Sequence, residues 1–182
     1  MTSVLSPATA AFVVSDSPDG ELARDLLREA YLHARQHSDD LQTNNGALLL
    51  SRNGAILALG ANHFPDGVFV TAERQERANK KPFMEHAERD VIYACSRKGV
   101  ATEGSTMYCP WAACTDCARA IIEAGIQRLV VHKQMMDKTP PRWQAEIDIA
   151  NVMLEEAGIL VDIYDGEIGG VEVLFDCQLW QP

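Results

Sequence analysis

The sequence predicts an α/β layered domain, a mixed sheet of about five strands flanked by helices. Two observations carry the prediction. The apolar runs Asn45–Ser51 and Ala55–Gly60 flank Asn53-Gly54, a tight-turn signal, and read as an antiparallel hairpin. Beyond them, helix-period and strand-like segments alternate almost to the end of the chain, which calls for right-handed strand–helix–strand crossovers.

Residues 1–16 show no clear period and read as an N-terminal arm, with Val13-Val14 able to pair at a sheet edge. Residues 17–182 read as one domain, without internal repeat or linker. Ser17-Pro18-Asp19 is a helix start, Ser17 capping and Pro18 in the first turn. Leu22, Leu26, Ala30 and Ala34, widened by Leu27 and Tyr31, form an apolar stripe that carries this helix to His37. His33 and His37 lie one turn apart on it, but no third ligand accompanies them. The hairpin strands are nearly continuously apolar at Leu48–Leu50 and Ile56–Leu59, which predicts cover on both faces.

Residues 61–83 are a polar connection with room for a short helix through Ala72 to Asn79, and they carry Arg74, Arg77, Lys80 and Lys81. A helix over Glu85–Lys98 stops at Gly99. Thr106–Cys109 is a short strand, and a helix from Cys114 ends at Gly125. Strand Ile126–His132 follows, then a break at Pro140-Pro141, a helix over Arg142–Ala157 and strand Ile159–Ile163. Val171–Phe175 alternates well enough for a small final strand.

The 182 residues, 47% apolar and 23% charged, can bury one domain core. No apolar run approaches a membrane span, and the N-terminus lacks the basic-then-apolar pattern of a signal peptide. Five cysteines, an odd number with two in Cys114-x-x-Cys117, lead us to expect a reduced cytoplasmic protein with a metal site. The net charge of -10 argues against a surface that tracks nucleic acid, although a few local Arg and Lys can still hold a small anion.

Cys114-Thr115-Asp116-Cys117 and His86-Ala87-Glu88 carry the chemistry. Two thiols three residues apart share one face of a helical turn, and a histidine supplies a third ligand. Three ligands leave the fourth tetrahedral position open, as catalytic zinc requires. Glu88 is placed to move protons beside it. Both motifs fall at predicted helix starts, whose free N–H groups favour thiolate. Either motif alone is ambiguous, since Cys-x-x-Cys also serves redox and structural sites. Together they match the H-x-E…P-C-x-x-C signature of the zinc nucleobase deaminases.

The chain resembles the cytidine and deoxycytidylate deaminase superfamily, and within it the deoxycytidylate (dCMP) deaminases. Besides the two motifs, the resemblance rests on Gly60–Gly67, Lys81-Pro82-Phe83, Thr106-Met107-Tyr108 and Ile121–Ile126. Ala157-Gly158-Ile159 and Val173–Asp176 extend it. It implies the three-layer cytidine-deaminase-like fold, with Zn2+ on His86, Cys114 and Cys117. It implies conversion of dCMP to dUMP and ammonia, with zinc-activated water attacking C4 and Glu88 as proton shuttle. It also implies a substrate contact at Asn62 and assembly as a homo-oligomer.

Lys81, in the basic loop, and Lys133, after the fourth strand, are candidates to neutralise a phosphate, and Trp111 is a candidate stacking wall. The chain departs from the pattern around the site. Ala113 stands where the signature has proline, with Pro110-Trp111-Ala112 before it, and the two alanines would widen the pocket. Arg89-Asp90 follow Glu88 where dCMP deaminases usually have a residue and then Asn, and His63 replaces a small Gly. An Asp90 facing a phosphate would repel it. The competing readings are a deaminase of another nucleobase, nucleoside or modified nucleotide, and a non-catalytic zinc module. Cys95, Cys109 and Cys177 read as small buried residues and not as ligands.

Overall fold

The computed structural model describes residues 12–13 and 18–182, so the Ser17 cap and most of the 1–16 arm lie outside the described residues. Strand β1 (Phe12–Val13) precedes helix α1 (Pro18–His37). The proline's fixed φ suits a first helical turn. The helix buries Ala23, Leu26, Leu27, Ala30, Tyr31 and Ala34, as its stripe requires, and leaves Leu22 exposed. Strands β2 (Gly46–Leu50) and β3 (Ile56–Ala61) pair antiparallel across the Asn53-Gly54 turn, where Gly54 has a φ of 83°.

The polar connection holds two single turns, α2 (Ala72–Gln75) and α3 (Arg77–Lys80), in place of one helix. Glu76 separates them with an extended φ/ψ of -62°/138°. Then come α4 (Ala87–Arg97), β4 (Thr106–Tyr108), α5 (Thr115–Glu123) and β5 (Arg128–His132). A short helix that the sequence reading did not anticipate, α6 (Lys133–Asp137), leads to α7 (Pro141–Glu156) and β6 (Leu160–Tyr164).

The main sheet runs β1-β6-β5-β4-β2-β3. β1, β6, β5 and β4 are mutually parallel, and β2 is antiparallel to both β4 and β3. The five expected strands are β2 to β6; β1 adds an edge by pairing Phe12 with Asp162 and Val13 with Ile163. The final segment does not join this sheet. β7 (Val173–Phe175) forms a hairpin with β8 (Gln178–Trp180). Its turn residues Asp176 and Cys177 take φ of 49° and 68°, the left-handed pair that a type I′ hairpin turn demands.

Alternation along the strands explains why they read as continuously apolar. Ala47, Leu49, Met107, Leu129 and Val131 face a core shared with α4, α5 and α7. Leu48, Tyr108 and Val130 face the opposite core, shared with α1 and the C-terminal hairpin. Both faces of the central strands β2, β4 and β5 are covered, so their inner positions are apolar on either side. Among the described residues, no helix is long and apolar enough to cross a membrane.

The approach of α1 to the sheet depends on Gly46. A Cβ there would collide with the Ala30 carbonyl and the Ala34 side chain. Gly46→Ala is therefore expected to cost about 1–3 kcal/mol through overpacking, measured as a lower urea midpoint. A midpoint unchanged from wild type would mean that helix and strand do not meet this closely.

Candidate metal centre and active site

Two helix starts meet at one end of the sheet. β3 ends at Ala61, and His63 and Glu85 then bridge antiparallel, which brings the chain back to begin α4 beside the strand. His86 is the N-cap of α4, and its N–H donates to Glu85 Oε1 at 3.0 Å. β4 leads into Pro110, whose carbonyl accepts from His132 N–H at 3.0 Å, and Cys114 then caps α5. Neither cap side chain makes the N-cap bond to a free N–H of its helix. Instead they face each other, with His86 Nδ1 3.5 Å from Cys114 Sγ and 3.6 Å from Cys117 Sγ. The three donor atoms lie within 4.8 Å of one another, the one such group among the described residues. His33 and His37 have rings 4.3 Å apart but belong to no such group.

Two sulfurs and one imidazole nitrogen are a donor set that zinc takes readily. Glu88, 2% exposed, stands beside them with Oε2 free of any hydrogen-bond partner. Three donors and one orphaned carboxylate oxygen fit a zinc site with an open fourth position. The electrostatics agree. Hydrogen bonding from the Cys117 thiol, and then from His86, pulls the Cys114 thiol down to about 3, against the cost of burial. Cys117 moves upward, because it holds the proton that the pair shares. Burial raises the Glu88 carboxyl. Arg89 reaches Cys117 Sγ at 3.7 Å while bonded to Glu85, so a cation backs the sulfur pair and its one negative charge.

A cavity of about 230 Å³ opens onto this cluster. Of the residues singled out in the sequence, His86, Glu88, Cys114, Asn62, Trp111 and Lys81 line it. Cys117 is fully buried behind them. Asn62 Oδ1 accepts from Ala87 N–H at 3.1 Å, so this side chain fixes the first turn of α4 while it edges the cavity. Trp111 donates to Thr139 Oγ1 at 2.9 Å and meets Trp143 and Phe175 edge-on, with centroids 5.6 and 5.0 Å apart. Lys81 pairs with Glu146.

Three expectations require correction. Lys133 does not line the cavity; it opens α6 and turns along that helix to pair with Asp137. Asp90 does not face the cavity either. Its Oδ2 accepts from Ala61 N–H at 3.1 Å and lies 3.7 Å from His63, tying α4 to β3, so it repels no anion there. Cys177 is exposed at the hairpin turn, whereas Cys95 and Cys109 are buried as expected. Cys109 is not part of the metal group; its thiol accepts from Asn45 Nδ2 at 3.4 Å.

The structure adds lining residues that the sequence reading missed: Asp40, Asn45, Arg142 and Trp143. Arg142 and Trp143 stand at the start of α7, just after Pro140-Pro141, and that double proline was the one available sign of a fixed chain entry.

What this arrangement can do is make water reactive and move its protons, which places the chain among metal-dependent hydrolases. Comparison with known proteins gives the family. The model of the cytidine and deoxycytidylate deaminase zinc-binding region matches residues 21–133, and the chain belongs to that family. A protein of Aliivibrio fischeri named uncharacterized deaminase in luxG 3′ region is 32% identical over 124 residues, 68% of this chain and 81% of the relative. The deoxycytidylate deaminase of Pongo abelii is 26% identical over 157 residues, 83% of this chain and 84% of the relative. In fold, the chain is similar to the dCMP deaminase of cyanophage S-TIM5, crystallised with dCMP and dUMP. The TM-score is 0.63 at 24% identity, covering 82% of this chain and 98% of the other. The chain is thus a zinc-binding hydrolytic deaminase, and the reading as a non-catalytic module is set aside.

Purified protein is expected to carry one zinc per chain by elemental analysis. Cys117→Ala should lose most of it, while Cys109→Ala should keep it. Zinc loss on removing Cys109 would make that thiol a ligand and close the open position.

Proposed function

We propose that the chain deaminates a cytosine nucleotide, converting dCMP and water to dUMP and ammonia. The observation that carries this reading is one cavity lined by both kinds of group that deamination of a nucleotide needs. His86, Cys114 and Glu88 line it, and so do the cations Arg77, Lys80, Lys81 and Arg142. Lys80 is matched by buried Asp40 at 2.6 Å, and Lys81 by Glu146. Arg77 and Arg142 share a single carboxylate, Asp176, at 2.7 and 2.6 Å. Two guanidiniums on one carboxylate leave positive charge over, and guanidinium is suited to a phosphate. The relative named deoxycytidylate deaminase, which the chain matches over 84% of its length, supports the same substrate.

His86, Cys114 and Cys117 would hold zinc, which when bound acts as a Lewis acid and makes water a nucleophile at neutral pH. Glu88 takes one proton of the attacking water and passes it to ring N3 as oxygen adds to C4; it then takes the second proton from that oxygen and hands it to the departing amine. The C4–N bond breaks as the oxygen on C4 becomes a carbonyl, and the amine leaves as ammonia. Trp111 and Trp143 offer flat walls for the ring, and Asn62 holds Glu88 in register by fixing the turn that carries it. Glu88 is buried, so proton transfer proceeds away from bulk water. Ala112 also lines the cavity, and the space beside it supports a second reading in which the base is larger than cytosine.

We place the enzyme in the cytoplasm as a homo-oligomer. Five free cysteines support a reducing compartment, and the exposed apolar side chains Tyr93, Ile149 and Val152 support self-association.

The test is ammonia release from cytosine, cytidine, dCMP, dCTP, guanine and adenosine by zinc-loaded enzyme, with dCMP expected to be turned over best. A preference for guanine or adenosine would replace the cytosine assignment. Glu88→Ala should keep its zinc and lose about a hundredfold or more in kcat; retained activity would remove Glu88 as the shuttle. Arg142→Ala should raise KM for dCMP about tenfold or more without changing KM for deoxycytidine. Equal shifts for the two substrates would remove Arg142 from phosphate binding.

A further inference from the structure

We infer that Asn45 reads the amino group that is to be removed, and so separates substrate from product; the inference rests on the deamination proposed above. Asn45 ends the loop that enters β2. It is 3% exposed and lines the cavity. Its backbone carbonyl accepts from Asn62 N–H at 3.0 Å, and its Nδ2 donates to Cys109 Sγ at 3.4 Å. The carboxamide is therefore held from its nitrogen side, while Oδ1 has no partner.

The other polar oxygens of this loop are committed. Asp40 Oδ1 accepts from Gln42 N–H, Thr43 N–H and Lys80. Thr43 Oγ1 accepts from Asp176 N–H, and Asn44 Oδ1 from Leu174 N–H. Among the described residues, Asn45 Oδ1 and Glu88 Oε2 are the two cavity-lining side-chain oxygens that are buried without a partner.

A buried carboxamide oxygen left unpaired is costly, and it can only accept, so it calls for an N–H or O–H from the ligand. Its place in the cavity selects the donor. The Asn45 carbonyl holds the Asn62 N–H, and Asn62 Oδ1 in turn holds the N–H of Ala87, the residue between His86 and Glu88. Asn45 thus sits beside the reacting groups. There a cytosine ring presents N3, which Glu88 serves, and the exocyclic amine with two N–H groups. Asn45 Oδ1 accepts from the amine. After hydrolysis the same carbon carries a carbonyl oxygen, and two acceptors then face each other. The side chain favours the amine and disfavours the product that replaces it.

The test measures KM for dCMP and the inhibition constant of dUMP in wild type, in Asn45→Leu, which keeps the volume without the acceptor, and in Asn45→Ala. Zinc content and melting temperature establish that the centre is intact. Wild type should bind dUMP more weakly than dCMP by roughly five- to tenfold. The variants should raise KM for dCMP by a similar factor without weakening dUMP, so the ratio closes. Equal wild-type affinities overturn the inference whether or not the variants fold, as does a parallel shift of both constants. 2′,3′-Dideoxycytidine 5′-monophosphate supplies the second arm: a variant effect that disappears with it assigns the donor to a sugar hydroxyl and overturns the amine assignment. If wild type leaves dCMP unchanged, the substrate proposal fails, and the same ratio is read on the amine and its product that the substrate panel identifies.

Discussion

The structure depends on bringing two helix N-termini together so that their cap residues turn away from capping and toward each other. A histidine is a poor N-cap and a cysteine no better, since Ser, Thr, Asp and Asn fill that role. His86 and Cys114 occupy the two cap positions without making a side-chain cap bond. Each helix forgoes local stabilisation, and the released side chains meet with Cys117 within 4.8 Å. The sheet enforces the meeting. β4 lies between β2 and β5, and α4 and α5 pack on one face of these strands in a shared core. Support around the caps is polar. Glu85 holds the His86 N–H and the Arg89 side chain, and Asn62 holds the Ala87 N–H.

The same geometry gathers unlike electrostatic tasks in one cavity. Near the metal donors, Glu88 is buried with an oxygen unpaired, and Arg89 offsets the charge of the sulfur pair from behind. Toward the basic side, carboxylates tie the cations down but do not cancel them fully, because Asp176 serves both Arg77 and Arg142. Asp176 can do so because the β7–β8 hairpin turns on left-handed residues and docks on the loop before β2, where Cys177 N–H donates to the Gln42 carbonyl at 2.8 Å. A protein of net charge -10 thereby keeps a local positive site without a basic surface.

Most of the architecture was legible because its signals are local. Asn53-Gly54 between apolar runs gave the hairpin, the stripe on α1 gave the helix, and paired thiols with His86 and Glu88 gave the centre. The failures share a cause. Lys133 was assigned to the anion side from its place after a strand, but α6 intervenes and pairs it with Asp137. Asp90 would repel a phosphate only if it faced one, and only the fold shows that it ties α4 to β3 instead. Asn45, Arg142 and Trp143 converge on one cavity from segments far apart in the chain, and no period or motif relates them. Nor did a pattern announce that Val173–Phe175 would leave the main sheet and pair with Gln178–Trp180. Chemistry carried by a motif could be read in the sequence; specificity assembled from distant segments required the fold.

The central claim is an open zinc centre with three protein ligands, served by a buried carboxylate that is not itself a ligand. X-ray absorption at the zinc edge of the purified protein tests it most directly. The account predicts two sulfur neighbours, one imidazole nitrogen and one light solvent atom. A third sulfur, which Cys109 would have to supply, or a shell closed by four protein ligands, would contradict it.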